Sequence, residues 1–191
     1  DARAGNCLSL VVMTAAFAKE MGMTVRYQSA YLEETVSRRS NLLLRSGHVN
    51  VTLGRRLADP RFPVQETTMV DFLPPEEIRG LRTREIGEQT VVAMYMNNRA
   101  VEALVAGRID DAYAWSREAV LQDPQFLGSL NTLGVVYLRR DALPQATAVF
   151  GHVLERDAAN LTALANLAGA YARQGRIDES LELQSRLAKL E

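Results

Sequence analysis

The second half of the chain repeats a pattern every 34 residues, and this repetition restricts its fold more than any other feature. The segment SLNTLGVVY at 129–137 aligns with ALANLAGAY at 163–171, so leucines and a tyrosine recur at matching positions. The turn segments AGRIDD at 106–111 and QGRIDE at 174–179 follow the same period. One helix pair of this length cannot bury its apolar stripe alone, so successive units are predicted to stack into a superhelix.

The pattern resembles the tetratricopeptide repeat, which combines a Leu-Gly pair, a tyrosine, a small residue and an aromatic residue at fixed spacing. The second repeat supplies Leu133, Gly134, Tyr137, Ala146 and Phe150 in that order. Small residues in such positions allow the two helices of a unit to approach closely. The resemblance implies three repeats, at about 93–126, 127–160 and 161–191.

A stack of such repeats has a concave groove, and the predicted inner helices carry several asparagines. These residues are Asn97, Asn98, Asn131 and Asn166. The resemblance implies that the groove holds a peptide or a partner protein, with the asparagine amides gripping the peptide backbone. The alternative is a helical brace that holds the first half of the chain rigid.

The first half of the chain combines a helix with strands. Apolar residues recur at spacings of three and four from Asn6 to Met21, which predicts a helix that Asn6 caps and Gly22 ends. The pattern predicts strands at 24–31, 42–53 and 67–72, a loop or hairpin at 33–41 and a helix at 76–92. We therefore expect an α+β domain with a small antiparallel sheet over residues 1–85, followed by an all-α repeat solenoid over 86–191.

The only cysteine of the chain, Cys7, stands at the head of the first predicted helix. Free N–H groups and the positive end of a helix dipole stabilise a thiolate there, which favours a nucleophile. His48 and Asp71 fall on different predicted strands, and antiparallel pairing can bring them together on one face. This order predicts a triad in which Cys7 attacks, His48 accepts its proton and Asp71 orients the ring. The alternative is that Cys7 is a small buried side chain and Asp71 a turn residue.

Three short segments resemble, in their order, the transglutaminase-like superfamily of papain-related thiol enzymes. They are GNC at 5–7, GHVNV at 47–51 and MVD at 69–71. The resemblance covers about residues 4–75 and implies a partial transglutaminase-like domain with Cys7, His48 and Asp71 as its catalytic residues. Asn50 departs from the family pattern, because family members often carry tryptophan at this position.

The two resemblances together imply thiol-dependent acyl transfer on a peptide or protein substrate, through a thioester, with the repeats recruiting the substrate. Bacterial members of the superfamily are more often hydrolases, so we favour a protease or amidase over amine crosslinking. The alternative is a non-catalytic scaffold. In that interpretation the repeats bind a peptide or protein, and the first domain is a degenerate enzyme fold.

Composition limits the remaining functional classes. The net charge of −1 gives no electrostatic basis for nucleic-acid binding, and no apolar run approaches the ~18 residues that a membrane span needs. One cysteine and two histidines, far apart in the sequence, predict no metal site.

The chain has no phosphate-binding glycine loop, and we expect no cofactor. Because the chain lacks an initiator methionine, we expect it to be trimmed at its N-terminus. The resemblance implies a bacterial protein, and the sequence leaves the cytoplasm and the periplasm as alternatives.

Overall fold

The computed structural model describes residues 7–31, 36–39, 42–45, 48–56, 65–73 and 82–190. The helices are α1 (Cys7–Glu20), α2 (Glu88–Val105), α3 (Ile109–Gln122), α4 (Leu127–Arg139), α5 (Leu143–Arg156), α6 (Leu161–Arg173) and α7 (Ile177–Ala188). The strands are β1 (Thr24–Tyr31), β2 (Val36–Arg39), β3 (Leu42–Arg45), β4 (His48–Arg56), β5 (Gln65–Val70) and β6 (Arg82–Ile86). These elements form two compact units, which are described separately below.

The first unit contains α1, the start of α2 and a four-stranded antiparallel sheet in the order β5-β4-β1-β6. Helix α1 packs on β4 and β1 and buries Leu8, Val11, Ala15 and Ala18, which recur every three or four residues. Gly22 ends the helix with a φ of 71°, as the sequence predicts.

The sequence-based prediction of a helix over 76–92 is wrong within the described residues. Residues Arg82–Ile86 form β6, which pairs with β1, and α2 begins only at Glu88. The segment RTREI has no apolar helical stripe, and pairing along a sheet edge decides its conformation. The predicted strands at 24–31 and 67–72 correspond to β1 and β5.

The second unit contains the β2–β3 hairpin and three helix pairs, namely α2–α3, α4–α5 and α6–α7. The hairpin agrees with one of the two predicted conformations for 33–41, and β3 lies beside α6. The strand predicted over 42–53 corresponds to two strands, β3 and β4, and residues 46–47 between them lie outside the described residues.

Small residues set the distance between the two helices of a repeat. A Cβ atom on Gly134 of α4 would lie 2.5 Å from the ring of Phe150 on α5, and that ring is fully buried. Ala112, Ala146 and Ser180 are buried at equivalent places in the three repeats. The Ser180 hydroxyl donates to the carbonyl of Ala168 at 2.9 Å, which ties α7 to α6. The helix pairs therefore pack as the repeat pattern predicts.

Candidate functional site

The sheet of the first unit brings His48 and Asp71 together. His48 is the first residue of β4, and Asp71 directly follows β5. These strands pair with Val51 opposite Val70, so the continued register places Asn50 opposite Asp71. His48 is two residues before Asn50 on β4, and its side chain lies on the same face because side chains alternate along a strand. Register alone therefore explains why residues 23 positions apart meet.

Asp71 is the centre of a buried hydrogen-bond cluster. His48 Nε2 lies 2.6 Å from Asp71 Oδ1, and the two side chains are 2% and 6% exposed. Asn50 Nδ2 donates to Asp71 Oδ2 at 3.1 Å, and the backbone N–H of Leu73 donates to Oδ1 at 2.9 Å. Both carboxylate oxygens therefore have donors, which fixes the carboxylate plane.

The environment of Asp71 keeps this carboxylate ionised. Burial raises its pKa, but hydrogen bonds from Leu73 N–H, Asn50 and His48, together with the charge of His48, outweigh burial and lower the pKa below its ordinary value. An ionised carboxylate only accepts hydrogen bonds, so His48 Nε2 carries the proton between them. The other ring nitrogen, Nδ1, is then the one that can exchange a proton with a third group.

Cys7 belongs to the same compact unit, in helix α1. It is the first residue of this helix, as predicted, and α1 packs on the strand that begins with His48. The Cys7 side chain itself lies outside the described residues. The structure thus brings together His48 and Asp71 of the predicted triad and places the Cys7 backbone at the start of the neighbouring helix.

Asn50 is the member of this cluster that sequence reasoning missed. In the sequence it stands out only as a departure from the pattern of transglutaminase-like enzymes. Its side chain is 2% exposed, and its Oδ1 is buried without a hydrogen-bond partner. The available signal was its spacing, because a polar residue two positions after His48 lies on the same face of the strand.

The predicted asparagines of the repeats lie on the first helix of each pair. Asn97 and Asn98 are half-buried on α2, Asn131 is half-buried on α4, and Asn166 is 8% exposed on α6. Three of their polar atoms are buried without a hydrogen-bond partner, namely Asn97 Oδ1, Asn131 Oδ1 and Asn166 Nδ2.

Asn131 also has a structural contact that the sequence did not predict. Its Nδ2 donates to Asn160 Oδ1 at 3.1 Å, and the same oxygen accepts from the backbone N–H of Ala163 at 3.0 Å. Asn160 thereby caps α6 and links it to α4. This contact uses the donor side of the Asn131 amide and leaves its Oδ1 as the atom without a partner.

The described residues also bear on metal binding and on membrane insertion. No group of three or more His, Cys, Asp and Glu side chains among them could hold a metal ion. None of the helices in this part of the chain combines the length and the apolar character that crossing a membrane requires.

The similarities to known proteins that were found lie in the repeats. A family model described as tetratricopeptide repeat matches residues 160–186. The Arabidopsis OM64 TPR domain is 16% identical, with a TM-score of 0.52 over 54% of this chain and 85% of that one. The second half of this chain has the tetratricopeptide-repeat fold. No match was found among curated proteins.

Two other similar structures come from RPAP3, and one of them was solved with a peptide. The second TPR of Spaghetti (RPAP3), bound to the HSP90 peptide SRMEEVD, is 15% identical, with a TM-score of 0.52 over 55% of this chain and 96% of that one. The first TPR domain of human RPAP3 is 15% identical, with a TM-score of 0.52 over 53% of this chain and 80% of that one. The tetratricopeptide-repeat model does not reach the segment from Cys7 to Asp71.

Proposed function

We propose that this protein binds an extended segment of a partner protein along the first helices of its tetratricopeptide repeats, α2, α4 and α6. The observation that carries the proposal is the set of amide atoms on these helices that are buried without a partner. The fold supports it, because a structure with the same fold holds a peptide.

Asn166 shows how a peptide would be held. It borders a stripe of more accessible residues on α6, formed by Thr162, Ala165 and Gly169 at spacings of three and four. The small side chains of this stripe leave room for a backbone to approach. A buried amide without a partner costs about 1–3 kcal/mol. A peptide carbonyl that accepts from Asn166 Nδ2 would remove this cost, so binding is favoured at that position.

The test is an array of random ten-residue synthetic peptides, probed with the labelled protein. We expect a defined subset of peptides to bind, and Asn97→Ala and Asn166→Ala each to weaken their binding about fivefold, the effect of one lost hydrogen bond. Glu182→Ala is the matched control, because Glu182 is exposed on the second helix of the same repeat as Asn166. Equal binding by all four proteins would contradict the proposal.

A second candidate function, thiol-dependent acyl transfer, is favoured by one observation. His48 and Asp71 form a buried pair at 2.6 Å, with Nε2 engaged and Nδ1 left for proton exchange. A buried, oriented imidazole can activate a thiol that lies within hydrogen-bond reach of it. Cys7 begins the helix that packs on β4, the strand of His48. The resemblance of the three short motifs to transglutaminase-like enzymes points in the same direction.

In this reaction the Cys7 thiol gives its proton to His48 Nδ1, and the sulfur attacks the carbonyl carbon of a peptide bond or side-chain amide. The amine leaves with the proton from His48, and a thioester remains. Water then gives its proton to His48 and attacks the thioester carbonyl, which releases the acid and returns the proton to sulfur. Asp71 would keep the ring in the tautomer that both steps require.

The rate of Cys7 alkylation against pH tests this second function, because Cys7 is the only thiol in the chain. We expect an inflection below the ordinary thiol value of about 8.5, and an upward shift in His48→Ala. The control is His152→Ala, since the only other histidine is 55% exposed on α5. Identical profiles for wild type and His48→Ala would leave the first unit as a non-catalytic scaffold.

A further inference from the structure

The helices of the repeats differ in how many charged residues they contain. In α4 and α6, the segments LGSLNTLGVVYL and LTALANLAGAYA contain no Asp, Glu, Lys or Arg, and each helix ends in one arginine. The second helices differ, since α3 and α7 carry acidic residues in their first turns and further charges along their length. Helices α4 and α6, which carry Asn131 and Asn166, are therefore almost uncharged. Helix α2, which carries Asn97, contains Glu88, Arg99 and Glu102.

Most arginines of the first helices are already engaged within the protein. Arg173 donates to the carbonyl of Leu138 at 2.9 Å and to Asp141 at 2.6 Å. Arg99 of α2 donates to Glu102 at 2.6 Å and lies 6.0 Å from the ring centre of Trp115 on α3. Arg139, the last residue of α4, is exposed.

The unpartnered amide atoms include acceptors as well as a donor. Asn131 Oδ1 is an acceptor, and the bond from Asn131 Nδ2 to Asn160 fixes this orientation of the amide. A carboxylate offers only acceptor oxygens and would be repelled by such an atom, whereas a peptide backbone offers both N–H and C=O groups. An acidic ligand also needs nearby cations to offset the loss of its hydration.

We infer that the groove along α2, α4 and α6 takes an extended, uncharged peptide segment held through its backbone, and does not take an acidic tail such as SRMEEVD. This inference rests on the proposed peptide-binding function and specifies its ligand. The similar structure that holds SRMEEVD shares the repeat fold over 55% of this chain at 15% identity, which is a likeness of fold alone.

The test uses the full chain with two fluorescent peptides and the random array. The peptides are SRMEEVD and its neutral counterpart SQMQQVN with an amidated C-terminus, which keeps length and shape but removes the charges. We expect array binders to be depleted in Asp and Glu, and SRMEEVD to bind no better than its neutral counterpart. We also expect the Kd of array binders to change less than about twofold between about 50 and 500 mM NaCl, because uncharged contacts are not screened.

Arg139→Gln is the variant that separates the two kinds of recognition. We expect it to leave the affinity for array binders unchanged, while Asn166→Ala lowers it about fivefold. Enrichment of acidic peptides, or binding that weakens steeply with salt, would overturn the inference and leave the proposed function standing. That result would point to Arg139, the exposed arginine at the end of α4. An array with no bound peptide would overturn both.

Discussion

At the scale of single residues, the turn inside each repeat depends on one left-handed backbone position. Gly107, Asp141 and Gly175 have φ values of 74°, 59° and 76° and lie 34 residues apart. Glycine adopts this conformation without steric cost, whereas other residues pay for it unless their side chain compensates. Asp141 is the one non-glycine residue with positive φ in the described part of the chain, and it accepts from Arg173.

Gly107→Ala should therefore destabilise the protein by about 1 kcal/mol. A Cβ at Gly107 would meet no atom within 4 Å, so the cost comes from the backbone conformation alone. Gly151→Ala is the matched control, since this glycine lies inside α5 and is equally open. Alanine favours the helix, and we expect a gain of about 0.5–1 kcal/mol. Urea unfolding measures both, and equal effects of the two substitutions would contradict this account of the turn.

The lowered pKa of Asp71 makes its contribution to stability depend on pH. Its folded-state pKa lies below the ordinary 3.8, so folding favours the ionised form. The stabilisation is fully present above 3.8 and is lost as the pH falls through the folded-state pKa. We expect Asp71→Asn to lower the free energy of unfolding by about 1–3 kcal/mol at neutral pH. The difference from wild type should shrink below 3.8.

Urea unfolding of wild type and Asp71→Asn at a series of pH values measures this difference, and pairwise subtraction removes the titration of the other groups. Glu182→Gln serves as control, because Glu182 is exposed on α7 and belongs to the other compact unit. If the difference in free energy of unfolding between wild type and Asp71→Asn stayed constant down to the most acidic pH, the carboxylate charge would contribute nothing to stability.

At the scale of elements, Asn160 joins one repeat to the next. Its Oδ1 caps α6 through the Ala163 N–H and accepts from Asn131 of α4. Asn160→Ala removes both contacts, and we expect it to cost about 1–2 kcal/mol. Asn131→Ala removes only the link between the helices and should cost less. A double-mutant cycle of the two positions should show coupling of about 0.5 kcal/mol or more; strict additivity would mean that the link contributes nothing.

The elements also show what the sequence could predict and what it could not. The helix pairs and their turns depend on contacts between residues close in sequence, such as Gly134 with Phe150. The 34-residue period of the sequence therefore predicts them. Strand β6 escaped prediction because its conformation comes from pairing with β1, more than 50 residues earlier. Antiparallel pairing predicts that His48 and Asp71 can meet, and strand alternation places Asn50 on the same face as His48. The bonds of both side chains to Asp71 depend on the register of β4 and β5.

At the scale of the whole molecule, the two proposed functions belong to different compact units. His48 and Asp71 lie in the unit with the sheet, and Asn166 lies in the unit with the repeats. Substitutions at separate sites that share no partner are additive, so each should affect only its own function. We expect His48→Ala to leave the affinity for array peptides within about twofold, and Asn166→Ala to leave the pH profile of Cys7 alkylation unchanged. If peptide binding changed the alkylation rate of wild type but not of Asn166→Ala, the two sites would be coupled, and the expected independence of the two functions would be wrong.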